Sequence, residues 1–177
     1  MGIEIEKKFT VKKLPEDIDS FPYHVIEQAY LNVHPAIRVR REDDIFYMTY
    51  KGAHSDKEGE IGQVEYNMPL DEESYRRLAS KAEGILIKKK RYLIPLNEDA
   101  FEKEYLLSHP DLTEGIKSGE VKIELDVFDD PYDGVVIAEV EFPDEESASK
   151  FKPVSWFDKE VTGDPKYSNA QMSKGVL

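Results

Sequence analysis

The feature that most limits how this chain can fold is an alternation of apolar and polar residues that recurs in segment after segment. A period of two is the mark of a strand with one apolar and one polar face. Residues 3–11 carry Ile3, Ile5, Phe9 and Val11 on one side and Glu4, Glu6, Lys8 and Thr10 on the other. Residues 25–33 and 36–41 read as the next strands, the latter placing Arg38 and Arg40 together around Val39. Segment 45–51 sets Thr49 and Lys51 opposite Met48 and Tyr50, and 62–68 sets Gln63 and Glu65 opposite Val64 and Tyr66. A strand at 85–94 has its phase blurred by Lys88, Lys89, Lys90 and Arg91. Segment 121–128 sets Lys122, Glu124 and Asp126 against Val121, Ile123, Leu125 and Val127, and 135–142 sets Glu139 and Glu141 against Val136, Ala138, Val140 and Phe142.

Helices fit in three places only: Asp71–Glu83, which stops before Gly84; Asn97–Ser108, which stops before His109-Pro110; and Asp144–Phe151. The expected fold class is therefore mostly β (α+β), eight antiparallel strands with a few covering helices. No repeat, low-complexity tract or linker divides the sequence, so residues 1–177 read as one domain. With no cysteine, disulfides, thiolate metal sites and cysteine nucleophiles are excluded, and a cytoplasmic setting is expected. No apolar run approaches the roughly 20 residues that span a bilayer, and MGIEIEKKF has acids where a signal peptide needs an apolar stretch. No membrane partner is expected. A net charge of −13 repels phosphate backbones, so nucleic acid is not expected as a partner either.

The polar faces are what set these strands apart. Acids come in same-face pairs, Glu4/Glu6, Glu124/Asp126 and Glu139/Glu141, and bases likewise, Arg38/Arg40 and Lys89/Arg91, with Lys8 and Lys51 beside them. Carboxylates two apart on a strand lie roughly 7 Å apart and repel unless a cation lies between them. A hard divalent metal is one such cation, since Mg²⁺ and Mn²⁺ prefer oxygen ligands. Clustered Arg and Lys would repel in turn unless they hold a polyanion, for which the Arg fork and the Lys point charge are suited. If the sheet closes into a barrel with these faces inward, a metal-chelated polyphosphate meets both demands, and closure removes the exposed edges. Solvated faces of an ordinary sheet would give the same periodicity.

The N-terminal Glu4-x-Glu6-x-Lys8 resembles the ExExK signature of the CYTH superfamily, the triphosphate tunnel metalloenzymes. IEQAYL (26–31), AIRVRR (36–41), YMTYKG (47–52), VEYNMPL (64–70), KKRYLI (89–94), KIELDVF (122–128) and AEVEF (138–142) resemble family segments in the family's order, and WFDKEVTGDPKYSN (156–169) resembles the C-terminal segment of the small bacterial members. The resemblance implies an eight-stranded tunnel, open at its ends, that binds triphosphate compounds with Mg²⁺ or Mn²⁺. It implies that Lys8, Arg38, Arg40, Lys51 and Arg91 hold phosphate oxygens, joined by Lys89, which shares the Arg91 face. It implies that Glu4, Glu6, Glu139 and Glu141 ligate or orient metal, with Glu65 and Glu124 as further candidates, and that Glu4, Glu6 and Lys8 serve catalysis. The stretch 97–120 looks longer than the matching connection in compact members, and it either caps a tunnel mouth or decorates it.

The expected activity is metal-dependent hydrolysis of the terminal phosphate of a small-molecule triphosphate, inorganic tripolyphosphate first among them. A class IV-type adenylyl cyclase and a noncatalytic polyphosphate binder are the alternatives. No Asn/Arg/aromatic cluster for adenine is visible, and pure binding leaves the acid pairs without a purpose. His24, His34, His54 and His109 show no metal spacing and read as surface or structural residues. Trp156 and Phe157 read as anchors of the C-terminal segment, and Tyr167 and Ser168 as a capped turn. No GxxxxGK[ST], HExxH or GxSxG is present.

Overall fold

The computed structural model describes residues 2–53 and 63–175. Nine strands form one antiparallel sheet: β1 (Gly2–Val11), β2 (Tyr23–Val33), β3 (Ala36–Glu42), β4 (Ile45–Ala53), β5 (Gln63–Leu70), β6 (Ile87–Pro95), β7 (Lys122–Phe128), β8 (Val136–Phe142) and β9 (Phe157–Glu160). Five helices accompany them: α1 (Glu72–Ala79), α2 (Lys103–Ser108), α3 (Pro110–Ser118), α4 (Glu145–Lys150) and α5 (Asn169–Met172). The spatial order is β5-β4-β3-β2-β6-β7-β8-β1-β9, and a short pairing of β1 with β5, Gly2 opposite Glu65 and Ile3 opposite Val64, joins the ends of the eight-strand order.

The apolar face of this sheet carries the helices. Phe9, Tyr92, Ile123, Leu125, Val140 and Phe142 form the main core with Phe101, Leu106, Leu112 and Ile116 from the α2–α3 stretch. Phe157 of β9 stacks on Phe9 at 4.6 Å between ring centroids, so the aromatic anchor expected of the C-terminal segment is present. Stretch 97–120 therefore buttresses the apolar face of the sheet. A second cluster sets Tyr75 of α1 against Ala29 and Val39. Helix α1 starts where Asp71 accepts a hydrogen bond from Ser74 N at 2.7 Å, and Glu72–Arg76 and Glu73–Arg77 pairs run along its exposed side.

The opposite face is polar yet buried: Gln28, Thr49 and Lys89 are fully inaccessible, and Asp126, Arg40 and Glu139 nearly so. With helices α1–α4 packed on the apolar side, it is the curvature of the joined sheet that takes these side chains out of water. At one end that face turns apolar. Ile87, Phe128 and Ile137 meet Tyr132 of the β7–β8 connection and the fully buried Met172 of the C-terminal segment. The C-terminal segment thus packs over one end of the polar face.

Three expectations change. The helix expected over Asn97–Ser108 breaks, with a 3-10 turn at Glu98–Ala100, an extended Phe101 (φ −135°, ψ 162°) and then α2. The extended residue lets the Phe101 ring drop between Phe142 and Phe151, a burial that outweighs continuous helix. Pro110, expected to end a helix, begins α3 at its first position, and Gly119 ends it in the left-handed region (φ 77°). The ninth strand, β9, pairs on the edge of β1 and was not expected from its four-residue length.

Candidate active site

Register places opposite charges against each other across strands. Lys8 of β1 lies opposite Glu139 of β8, Arg91 of β6 opposite Asp126 of β7, and Lys51 of β4 opposite Glu65 of β5. Glu6 opposes Glu141, and Glu124 opposes Glu139, so two like-charged pairs share the same face. Lys8 Nζ approaches Glu139 at 2.9 Å and Glu6 at 3.5 Å. The Arg91 guanidinium donates to Asp126 at 2.7 Å through both Nε and Nη2, to Glu139 at 2.7 Å, and to Glu124. Lys89 Nζ bonds Asp126 and lies 5.4 Å from the centre of the Phe128 ring. The cation among Glu124, Asp126 and Glu139 is thus an arginine or lysine of the chain itself.

These contacts set the protonation states. Burial works against the charge of Glu139, but Lys8 and Arg91 outweigh it and hold the carboxyl well below its usual range. Asp126 is held down in the same way, burial being outweighed by Arg91 and Lys89. Burial also opposes the charge on Lys8, and Glu139 and Glu6 together raise it above an ordinary lysine. Lys89 goes the other way, pushed down to about 8 by burial and by the Arg91 charge.

On β3 the environment differs. Arg40 donates from Nε and Nη2 to Gln28 Oε1 at 3.0 and 2.8 Å and from Nη1 to the Tyr47 hydroxyl at 3.1 Å. Tyr47 in turn donates to Glu42 at 2.5 Å. Burial and the nearby Arg38 lower the Arg40 value, whereas for Arg38 burial is outweighed by Tyr30 and Glu65. Glu65 takes a hydrogen bond from Asn67 at 2.9 Å and sits 3.7 Å from Lys51 Nζ. Burial would raise Glu65, but the Asn67 bond and Arg38 hold it below its usual value.

Of the residues singled out in the sequence, Lys8, Arg38, Arg40, Lys51, Lys89, Arg91, Glu6, Glu65, Glu124, Glu139 and Glu141 all occupy the polar face by register. Lys88 is exposed on the other face, as its phase with Lys89 requires. Glu4 lies on β1 opposite Gln63, and its side chain is outside the described residues. His54 also lies outside them. His24 belongs to β2 and contacts Asp43 at 2.7 Å, while His109 caps α2 and stacks on Tyr105 at 3.9 Å. Ser168 caps α5 through Gln171 N at 3.2 Å, the turn role expected of it. Sequence reasoning passed over Gln28, Tyr30, Tyr47 and Asn67. A uniform period-two count would have put Gln28 and Tyr30 on one face, but their partners depend on cross-strand register.

The donor set for a divalent ion is all oxygen, which suits a hard cation. Among the described residues no group of three acidic or histidine side chains is placed to hold a metal ion by itself. Directly opposed Glu6 and Glu141, with Glu139 next on β8, instead suit a cation that takes one or two protein carboxylates and completes its shell with water and phosphate oxygens.

The sequence matches the CYTH domain family model over residues 2–159. It is 31% identical to an inorganic triphosphatase of Acetivibrio thermocellus, covering 98% of this chain and 95% of the relative. It is 29% identical to an inorganic triphosphatase of Nitrosomonas europaea, covering 98% of both. A crystal structure of the inorganic triphosphatase NE1496 superposes with a TM-score of 0.63 at 27% identity, over 98% of this chain and 95% of that one. With the family pattern matched across nearly all of the sheet that carries these charges, the chain belongs to the CYTH domain family.

Proposed function

We propose that this chain hydrolyses the terminal phosphate of a small triphosphate, inorganic tripolyphosphate foremost, as one domain whose joined sheet encloses a cation-lined tunnel. The observation that carries the reading is a buried polar face on which Arg38, Arg40, Lys51, Lys89, Arg91 and Lys8 stand beside acid pairs. Two relatives named inorganic triphosphatase, matched over nearly their whole length, support it. Apart from binding, a purely cationic face would serve a polyanion better, since carboxylates weaken anion affinity unless a metal neutralises them. The acids therefore favour chemistry over storage.

In this reading Arg38 and Arg40 hold nonbridging phosphate oxygens, and Lys51 and Lys89 add point charge along the chain of phosphates. Attack of water on the terminal phosphorus forms one P–O bond and breaks the bridging one, releasing orthophosphate and pyrophosphate. The charge that develops on the leaving pyrophosphate is what Arg91 and Lys8 stabilise, and the water-poor face strengthens that stabilisation. Glu139, held ionised, orients Lys8 and Arg91 and is a poor proton donor. Glu4, Glu6 and Glu141 are the residues that would hold Mg²⁺ or Mn²⁺. When bound, such an ion supplies charge neutralisation on the phosphates and a water of lowered pKa.

The test is release of phosphate from tripolyphosphate beside ATP, with Mg²⁺, Mn²⁺ or EDTA, while cyclic AMP is assayed in the ATP reactions. Metal-dependent turnover of tripolyphosphate, lost in E6Q and R40A, is the expected result. Cyclic AMP with pyrophosphate would make the chain a cyclase. Metal-independent phosphate binding without turnover would make it a binder.

A further inference from the structure

We infer that Gln28 is a positioning residue for polyphosphate binding: its amide aims the Arg40 guanidinium without placing a carboxylate in hydrogen-bonding contact with it. The inference rests on the triphosphatase reading above and assigns a role to a residue of β2 that this reading does not use.

The geometry is specific. Arg40 offers only donors, so the Gln28 atom that meets both Nε and Nη2, at 3.0 and 2.8 Å, is the amide oxygen. The third bond of the fork goes to a phenol, Tyr47, at 3.1 Å. Both partners are neutral. Elsewhere on the face the cations meet carboxylates: Lys8 meets Glu139, Arg91 meets Asp126, Glu124 and Glu139, and Lys89 meets Asp126. The carboxylate nearest Arg40 is Glu42, 4.0 Å from Nη1, and its oxygen already accepts from Tyr47. Burial of a charge that bonds no carboxylate is costly, and it is reflected in the lowered Arg40 value, with Arg38 and Arg91 adding to it.

A second observation agrees. Gln28 is fully buried, and its Nε2 has no hydrogen-bond partner among the described residues. A glutamate at this position would remove that orphan donor and turn the clamp into a bidentate ion pair, which is the better arrangement for the empty fold. The amide is thus the choice that stability alone disfavours. What it preserves is a desolvated arginine, fixed in direction and in need of an anion.

The experiment compares wild type with Q28E and Q28N, measuring tripolyphosphate affinity by calorimetry, KM and kcat for its hydrolysis, and the melting midpoint without ligand. Q28E is expected to weaken tripolyphosphate binding about tenfold or more and to raise KM more than it lowers kcat, while its ligand-free midpoint holds or rises. Q28N, neutral but too short to keep both bonds, is expected to weaken binding less than Q28E and to lower the midpoint. A Q28E protein that binds as wild type overturns the proposal, as does one whose affinity and midpoint fall together, which is the pattern of a merely structural residue. A wild type that neither binds nor hydrolyses tripolyphosphate sinks the triphosphatase reading first, a result distinct from both.

Discussion

Asp126 is a point at which removal of a single buried charge has a large consequence. Its carboxylate is 1% exposed and accepts two bonds from Arg91 at 2.7 Å and one from Lys89. The D126N substitution keeps the shape, removes the charge, and turns one oxygen into a donor that faces other donors. Breaking a buried ion pair by removing one partner costs roughly 3–5 kcal/mol, a large part of the 5–15 kcal/mol that holds a typical domain together. For a chain of this size each kcal/mol moves the midpoint by roughly 2–4 °C, so the expected drop is about 6–20 °C. The assay is thermal unfolding at pH 7 with and without tripolyphosphate. In the triphosphatase reading the ligand narrows the gap, because its oxygens supply the anion the variant lacks. A D126N midpoint within about 2 °C of wild type would refute the argument, since it would mean that Lys89 and Arg91 are already balanced without this carboxylate.

Three other outcomes follow from the same structure. Asp126 and Glu139 are depressed in the fold, so the stability they contribute is complete above the ordinary carboxylate values of about 3.9–4.3 and is lost as pH falls through the lower folded values; urea midpoints should hold down to about pH 5 and drop steeply below pH 4, and a steep loss between pH 7 and 6 would count against it. Lys89, lowered to about 8, sheds its proton in the folded chain before the unfolded chain does, so its contribution to stability rises from about pH 8 to about pH 10.4; the wild-type curve should climb relative to K89M over that interval, and a relative fall would contradict the sign. Gly84 has φ +99°, and a Cβ there would lie 2.3 Å from the Ser173 carbonyl oxygen that Ile85 N bonds at 2.7 Å; G84A should cost about 1–3 kcal/mol in denaturant unfolding by displacing the C-terminal segment, and an unchanged midpoint would show that this segment is not held there.

The strands were legible because their two faces are chemically distinct along most of their length. Even the blurred run at 88–91 resolves by phase alone: Lys89 and Arg91 turn to the polar face and Lys88 and Lys90 outward. What could not be read was who stands opposite whom. Same-sign pairs such as Glu124/Asp126 look unstable along one strand, and they invite an external cation. Across the sheet Arg91 already fills that place, because the β6–β7 register brings it to Asp126 and the next strand brings Glu139. Gln28 and Tyr47 escaped notice for the same reason, each being ordinary until β3 is laid between them. The broken helix at Phe101 was hidden by a different cause. Local propensity favoured a continuous helix, and only the aromatic cluster around Phe142 and Phe151 gives the extended residue its advantage.

Charge segregation also explains how a chain of net charge −13 can suit a polyanion. On the polar face Lys8, Arg38, Arg40, Lys51, Lys89 and Arg91 answer the acids roughly one for one, so the acidic excess belongs to the exterior. There, in water and salt, each carboxylate acts over about 8 Å and no farther. Inside, burial removes most of that screening, and the force on a ligand is set by the nearest few groups. Among those, Arg40 of β3 bonds neutral partners, Gln28 and Tyr47, where Lys8, Lys89 and Arg91 bond carboxylates. In the triphosphatase reading an anion entering the face therefore finds its strongest pull at Arg40, while the ion pairs of β1, β6, β7 and β8 hold the rest of the face in shape.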